Sequence, residues 1–470
     1  MPARRESDPG EMESCMPLPP RSRPPGSSPP PHRPGPGTRP LPRGVTRMPE
    51  ADEQAGRMSP ISHTGKLPWV QLRNAIFHPN IFKKMIGRVD PRVKNGDLVY
   101  VYDRDGQPFG TGLYSEYAGI GVRMLTFDSG VEGAAGGRLA ATEAIIAERL
   151  AEAVRLRRDL LGLDNLSDAY RVVHAEGDGL PGLIVDRFGE YAVVELFSYP
   201  MFLRIEAIRE ELKMLLGVKE VLVRADERVQ EAERFSLDED SPAGPQEKRS
   251  PDRKSTVITE NGLRFQIDLT HGHKTGFFCD QRDNRRGITQ FTEGRQVLDL
   301  CAYSGGFGVY AAALGKAAGV TCVDLDEDAI ALAQRNANLN KVPRGTLSTV
   351  HSDVFPYLRQ MQGGSKRFDV VVLDPPKLIA TREEMEEGRM KYFDLNRLAM
   401  TVVKSGGLLV TCSCSGLFSP EDFFNVVKGA ARGARKRVQV LRQTGPGADH
   451  PVMTDCPESS YLKCLWCRVW

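Results

Sequence analysis

The chain has 470 residues and a mass of 51.9 kDa, too long for a single core, so two or three domains are expected. Lysine and arginine number 63 against 61 aspartates and glutamates, a net charge of +2, which excludes a bulk polycation and leaves nucleic-acid binding to a local basic patch. No apolar run reaches the roughly 18 residues of a membrane span, the N-terminus lacks the apolar stretch of a secretory signal, and nine cysteines without framework spacing fit a reducing compartment, so a cytoplasmic protein with no membrane partner is expected.

Met1 to Thr64 holds 16 of the 33 prolines and too little apolar surface to offset the entropy of ordering, so residues 1–64 read as a disordered tail. Residues 65–130 read as a small β-rich domain: GDLVYVYDRDGQPFGTGLYS predicts two strands about an Asp105-Gly106 turn, and IGVRMLTFD a third. Residues 131–265 read as a central α+β domain. A helix from Leu139 to Leu161 carries Ile145, Leu150, Val154 and Leu161 on one face. Strands follow in AYRVVHAEGDGLPGLIVDRFG and YAVVELFS, then a helix from Met201 to Leu216 and the strand KEVLVRA. The polar stretch VQEAERFSLDEDSPAGPQEKRSPDRKS predicts a flexible insertion near 229–256. Strand–helix alternation then begins, and residues 266–470 read as a doubly wound, mostly parallel α/β sheet of the Rossmann-like type.

VLDLCAYSGGFG, Val297 to Gly308, falls where the first strand of that sheet meets its first helix. Tyr303, Ser304, Gly305 and Gly306 form a loop that lets a ligand approach the backbone. Asp299, Asp324 and Asp353 stand at the ends of three successive strands. Such acids often cap helices, but three in register behind a glycine-rich loop disfavour pyrophosphate and suit a cationic nucleoside. S-adenosyl-L-methionine is the expected cofactor, its ammonium near Asp299, its ribose at Asp324 and its adenine amine at Asp353.

A fourth strand, VVVLDPPK, ends in Asp374-Pro375-Pro376, a stiff turn offering carbonyls and few donors. That suits an exocyclic amine on a flat base, and equally a rigid loop. The fifth strand, LLVTCSCSG, ends in Cys412 and Cys414. Parallel strands four and five run about 4.8 Å apart, which brings the thiols beside Asp374. A thiolate adding to C6 of a pyrimidine activates C5 for methylation, a task that needs a nucleophile, a group holding the ring and a base. A buried cysteine more often simply packs. C-x-C without a partner pair is a poor metal site, and Cys464 and Cys467 fall on opposite faces of a strand, so no metal is expected.

HGHKTGFFCDQRDNRR (His271 to Arg286), YSGGFG, VLDPPK, SCSG, GADHPV and YLK together resemble the ribosomal RNA large subunit methyltransferase I family, and EGDGLPGLIVDRFG resembles its middle domain. The likeness runs over nearly the whole chain from Leu67. It implies a β-barrel PUA domain that binds RNA, a central α/β domain, a Rossmann-like catalytic domain, and S-adenosylmethionine-dependent methylation of cytosine C5 in large-subunit ribosomal RNA. Within it Cys414 is the implied nucleophile, at the step after Gly406-Gly407 where related cytosine-5 enzymes carry theirs, while TCS at Thr411 to Ser413 imitates their usual motif two residues early; Asp374 holds N3 or the amine, and Gln281 and Arg285 either line the methionine end of the cofactor or ion-pair with the sheet. A homodimer is compatible with it. The sequence departs from the family at Pro376 and Lys377, where many cytosine-5 RNA enzymes carry a second cysteine, and at Asn80, where tryptophan is usual. His450 is a candidate base. Arg73, Lys83, Lys84 and Arg88 form a basic cluster that reads either as an RNA-binding face or as a solvated one. A guanine-modifying rRNA enzyme of similar scaffold and an inactive ribosome-assembly factor are the competing readings.

Overall fold

The computed structural model describes residues 58–127, 138–237, 254–269 and 276–470. Strands β1 (Trp69–Leu72), β2 (Asn80–Phe82), β3 (Ile86–Val89), β4 (Leu98–Tyr102), β5 (Pro108–Tyr114) and β6 (Ile120–Thr126) form a six-stranded sheet in the order β2-β6-β5-β4-β1-β3. The expected hairpin is β4–β5: Asp103 Oδ1 accepts the N–H groups of Asp105 and Gln107 at 2.9 and 2.8 Å, and Gly106 takes φ 77°. Alternating inward residues, among them Val70, Leu72, Val99, Val101 and Val122, make its core. The last residues of the expected disordered tail are ordered. Ser59 donates its N–H to Arg104 O, and His63 bonds the Tyr102 hydroxyl and Leu67 O, each at 2.8 Å, so 58–64 is fastened to this sheet by polar groups that its proline content does not reveal. Residues 1–57 lie outside the described residues.

The middle region holds α1 (Arg138–Arg155), β7 (Ala169–His174), β8 (Leu183–Phe188), β9 (Tyr191–Leu196), α2 (Tyr199–Phe202), α3 (Ile205–Leu216), β10 (Glu220–Arg224) and α4 (Glu227–Glu233), with a four-stranded sheet ordered β10-β9-β8-β7. Leu150 and Val154 enter its core as expected, while Ile145 and Leu161 are half-buried at its margin. The predicted helix 201–216 is two pieces. Ser198 caps the first, with Pro200 in its opening turn, and the chain breaks at Leu203-Arg204 before α3. The start of the expected flexible insertion is also structured. Residues 229–233 lie in α4, because Glu233 is buried against Arg123 at 2.8 Å and Phe235 packs into the core. Residues 238–253 lie outside the described residues.

A hairpin of β11 (Ser255–Glu260) and β12 (Leu263–Asp268) spans the boundary expected at residue 265 and packs Ile258, Phe265 and Ile267 against the last sheet. That part contains α5 (Arg282–Ile288), β13 (Gln296–Leu300), α6 (Gly306–Ala313), β14 (Gly319–Asp324), α7 (Glu327–Leu339), β15 (Leu347–His351), α8 (Val354–Gly363), β16 (Phe368–Leu373), α9 (Met385–Val402), β17 (Val403–Ser413), α10 (Pro420–Gly433), β18 (Val438–Thr444) and β19 (Lys463–Val469). The seven strands run β15-β14-β13-β16-β17-β19-β18, parallel from β15 to β17, with β19 antiparallel to both neighbours. This is the expected Rossmann-like sheet, with a core on each face. Strand order reverses at β13, so the loops after β13, β14 and β16 open a crevice at the carboxyl ends. Among the described residues no helix is long and apolar enough to cross a membrane, and all eight cysteines are free thiols.

Candidate active site

The crevice is a cavity of about 510 Å³ at the ends of β13, β14, β15, β16 and β17. On one side stands the loop after β13. Cys301 and Tyr303 there have φ of 57° and 46°, a strained conformation for side-chain-bearing residues, and Gly305 follows at 75°. Gly305 has no room for a side chain, since a Cβ would stand 2.8 Å from the Cβ of Ala333. Tyr303, Ser304 and Gly306 line the cavity; Gly305 lies behind them as the residue preceding α6.

The three strand-end acids separate. Asp324 and Asp353 line the cavity. Asp324 Oδ2 accepts the Tyr303 N–H at 2.8 Å and its Oδ1 the Asp326 N–H at 3.0 Å, and Asp353 caps α8 through the Phe355 N–H at 2.7 Å. Among the described residues no cation pairs with either. Asp299 does not line the cavity. It is 1% exposed, and its Oδ2 accepts the Gly308 N–H at 2.8 Å, so it ties the start of α6 to β13 from beneath the loop. Burial pushes its carboxyl up to about 7. The ammonium expected at Asp299 therefore finds the carboxylate already engaged from behind, a burial that strand-end position alone does not reveal.

Across the cavity lie Asp374, Pro375, Pro376 and Lys377 from the turn after β16, and Cys414 from the turn after β17. The parallel register Leu373↔Thr411 sets these turns side by side. The two thiols part company here. Cys412 is fully buried, opposite Cys464 in the β17–β19 ladder; its hydrogen bond to Cys464 and its burial raise its pKa well above the ordinary thiol value. Cys414 lies beyond the strand end, half-buried, with its sulfur 4.0 Å from Pro375 O and facing the cavity. The flanking serines hold this turn. Ser415 Oγ accepts the Ile379 N–H at 3.1 Å and bonds the Tyr392 hydroxyl at 3.0 Å, which fastens the Cys414 turn to the segment following Asp374. Gln281 lines the cavity and donates from Nε2 to Asp374 Oδ2 at 3.0 Å, while its Oε1 accepts from Asn284 at 2.7 Å. Arg285 also lines it, but its guanidinium is held by Glu260 at 2.9 and 2.7 Å.

His450 is not in this arrangement. It is 3% exposed, 3.2 Å from Asp449, and packed against the rings of His174 and Tyr461. Asn80 donates to Glu176 at 3.0 Å, and the basic residues are all exposed, Arg73 just after β1, Lys83 and Lys84 in the turn between β2 and β3, and Arg88 in β3. Cys464 and Cys467 pack into opposite cores, as their spacing required. One group among the described residues has metal-ligating chemistry, His78, Cys456 and Glu458; it lies apart from the cavity lining, and its His78 Nε2 and Glu458 Oε1 are already hydrogen-bonded at 2.5 Å. Sequence reasoning missed the cavity walls Phe277, Phe278 and Leu462, although all three fall inside or beside the matching strings. Tyr392, in mid-helix, gave no local signal at all.

A family profile described as S-adenosylmethionine-dependent methyltransferase matches residues 171–467, and one described as a PUA-like domain matches 75–127. Proteins named ribosomal RNA large subunit methyltransferase I from Escherichia coli O9:H4 (strain HS) and Escherichia coli (strain K12) are each 34% identical over 392 residues, 83% of this chain and 95% of theirs. Among solved structures, SMU.776 complexed with SAH has a TM-score of 0.67 at 19% identity over 83% of this chain and 95% of that one. A Streptococcus mutans protein assigned as a SAM-dependent methyltransferase has 0.66 at 18% with the same coverage. At these identities the structures speak for the fold alone. Fold, cavity and family profile define an S-adenosylmethionine-dependent methyltransferase carrying a PUA-like domain. Within that class, the chain belongs to the ribosomal RNA large subunit methyltransferase I family, as the sequence strings implied. The cavity chemistry fits the cofactor: five carboxylates line it (Asp280, Asp324, Asp326, Asp353, Asp374), and of its two cations Arg285 is neutralised, so a sulfonium nucleoside is favoured over a phosphate ligand.

Proposed function

We propose that the protein methylates carbon 5 of a cytosine in large-subunit ribosomal RNA through a transient Cys414 adduct. The single observation carrying this reading is that Cys414, and not Cys412, lines the cavity that also holds Asp374, Asp324 and Asp353. The bound cofactor supplies an electrophilic methyl group. Asp324 and Asp353 orient it through its hydroxyls and amine. Asp374, itself held by Gln281, receives the pyrimidine's polar edge and fixes the ring against Pro375 and Pro376. The Cys414 thiolate attacks C6, which raises electron density at C5; once C5 is methylated its proton passes to solvent water, and the freed electron pair re-forms the C5–C6 double bond and expels the thiolate. The exposed basic residues Arg73, Lys83, Lys84 and Arg88 of the PUA-like region hold the RNA backbone. The relatives' name and the PUA-like domain support ribosomal RNA as substrate. The test is to incubate the protein with S-adenosylmethionine and unmodified large-subunit RNA and to analyse the nucleosides by mass spectrometry. 5-Methylcytidine is expected; a methylated guanosine, or no methylated nucleoside, sinks the reading.

A further inference from the structure

β19 begins at Lys463, which stands opposite Ser413 in the ladder. Its side chain is buried, 6% exposed. An ammonium has three N–H donors. Two of them go to the backbone carbonyls of Ser415 at 2.6 Å and Tyr461 at 2.8 Å. Ser415 is the residue that follows the Cys414 thiol, so the cation is pinned to the nucleophile's own turn. Among the described residues no carboxylate pairs with Lys463. A buried cation supported only by carbonyl dipoles is costly unless a negative charge lies nearby. Burial lowers its pKa to about 8, and the one charge acting in the opposite direction is that of Cys414. Coupling of this kind is reciprocal: whatever the thiolate contributes to the ammonium, the ammonium returns to the thiolate.

We infer that Lys463 is a positioning residue that keeps Cys414 in its nucleophilic thiolate form at neutral pH. The inference rests on the reading of Cys414 as the nucleophile. Lys463 does not line the cavity, whereas its neighbour Leu462 does, so it acts through Cys414 and not on the substrate. Ionisable groups that share the cavity or the turn with the thiol include Asp374 and Lys377 from the turn after β16, Asp280 and Arg285, Tyr392 from α9, and Tyr461, which burial keeps neutral. Asp374 and Asp280 oppose a thiolate. Arg285 is spent on Glu260, Lys377 is exposed to solvent, and burial holds Tyr392 neutral, pushed up to about 12. Lys463 is thus the buried cation left to favour the thiolate.

The test follows iodoacetamide alkylation of the Cys414 peptide by mass spectrometry in the full chain, from about pH 6 to about pH 10, across the ordinary thiol range. Lys463→Met is expected to slow alkylation at pH 7 roughly ten-fold, the equivalent of a one-unit shift of the profile. Lys463→Arg restores the charge and most of the rate, and Lys377→Met leaves the profile in place. An unshifted profile in Lys463→Met that still binds S-adenosylmethionine overturns the inference. Should that variant not fold, the unmodified protein decides: half-maximal reactivity below about 8.5 is expected, and a midpoint at or above that value overturns it. Failure of the underlying reading is a separate result, since Cys414→Ser that still forms 5-methylcytidine removes the nucleophile without touching the alkylation profile of the intact chain.

Discussion

Two polar clusters in this molecule use the same residue types to opposite ends. Where the middle and last sheets meet, Asp449 is fully buried and every charge around it is answered. Arg282 donates to both its oxygens at 2.8 and 3.1 Å, the Arg171 N–H reaches Oδ2 at 3.0 Å, and Arg157 takes its carbonyl at 2.6 Å while pairing with Asp178. Burial alone pushes the Asp449 carboxyl up, but His450 and Arg282 outweigh it and hold it well below the usual range. At the strand ends, five carboxylates line an open cavity, and among the described residues Asp324 and Asp353 bond only to backbone N–H groups. The first cluster is spent on holding the structure together, and the second faces a cavity without a cation beside Asp324 or Asp353 among the described residues. Partnering distinguishes a structural acid from a functional one, and neither composition nor proximity in sequence does.

The sharpest break of that contrast is at the thiols. Cys414→Ala is expected to lower methyl transfer by roughly 10³-fold or more, as loss of a nucleophile does, whereas Cys412→Ala retains activity and costs stability through a small cavity; radiolabelled methyl incorporation and urea denaturation read the two effects. Next, Asp449→Ala strands Arg282 and the Arg171 N–H, and about 3–5 kcal/mol of unfolding free energy should be lost with no direct loss of cofactor affinity in the protein that remains folded. In the open cluster, Asp324→Asn keeps one of the two acceptors for the loop N–H groups, so it should cost less stability than Asp449→Ala while weakening S-adenosylmethionine binding by about 1.5–3 kcal/mol, measured by calorimetry. Acid distinguishes the clusters again. His174 is buried beside Arg171, and burial lowers its pKa to about 3. Folding therefore keeps it neutral while the unfolded chain protonates near 6.5, so stability falls as pH drops below that value, by about 1.4 kcal/mol per unit, until the folded value near 3 is reached. Denaturant midpoints over that range check the slope. The smallest effect is at the exposed basic turn between β2 and β3: each of Lys83→Ala and Lys84→Ala should weaken RNA binding modestly and reduce the slope of log affinity against log salt by about 0.7.

Much of this was legible in the residues. The period-two strands of the N-terminal sheet, the alternation after Ile258 and the glycine loop of 301–306 all follow from local steric rules, because their signals lie within one element. The same rules place Asp374 beside the thiols once strands four and five are neighbours. What composition misjudged was order in polar segments: residues 58–64 and α4 are held by partners such as Tyr102 and Arg123, far away in the chain. That Asp299 lies under the loop while Asp324 lines the cavity was equally non-local, since both end a strand and only the position of Gly308 shows which one is engaged from behind.

The sequence by itself determined the elements, the sheet class and the family strings, since backbone sterics, hydrophobic periodicity and short motifs act between near neighbours. Only the tertiary structure decided how deeply Cys412 is buried, which strand-end acids line the cavity, and that Lys463 lies buried behind the Cys414 turn. Those outcomes depend on strand register and on side chains brought together across tens to hundreds of residues, a distance over which local pattern carries no information.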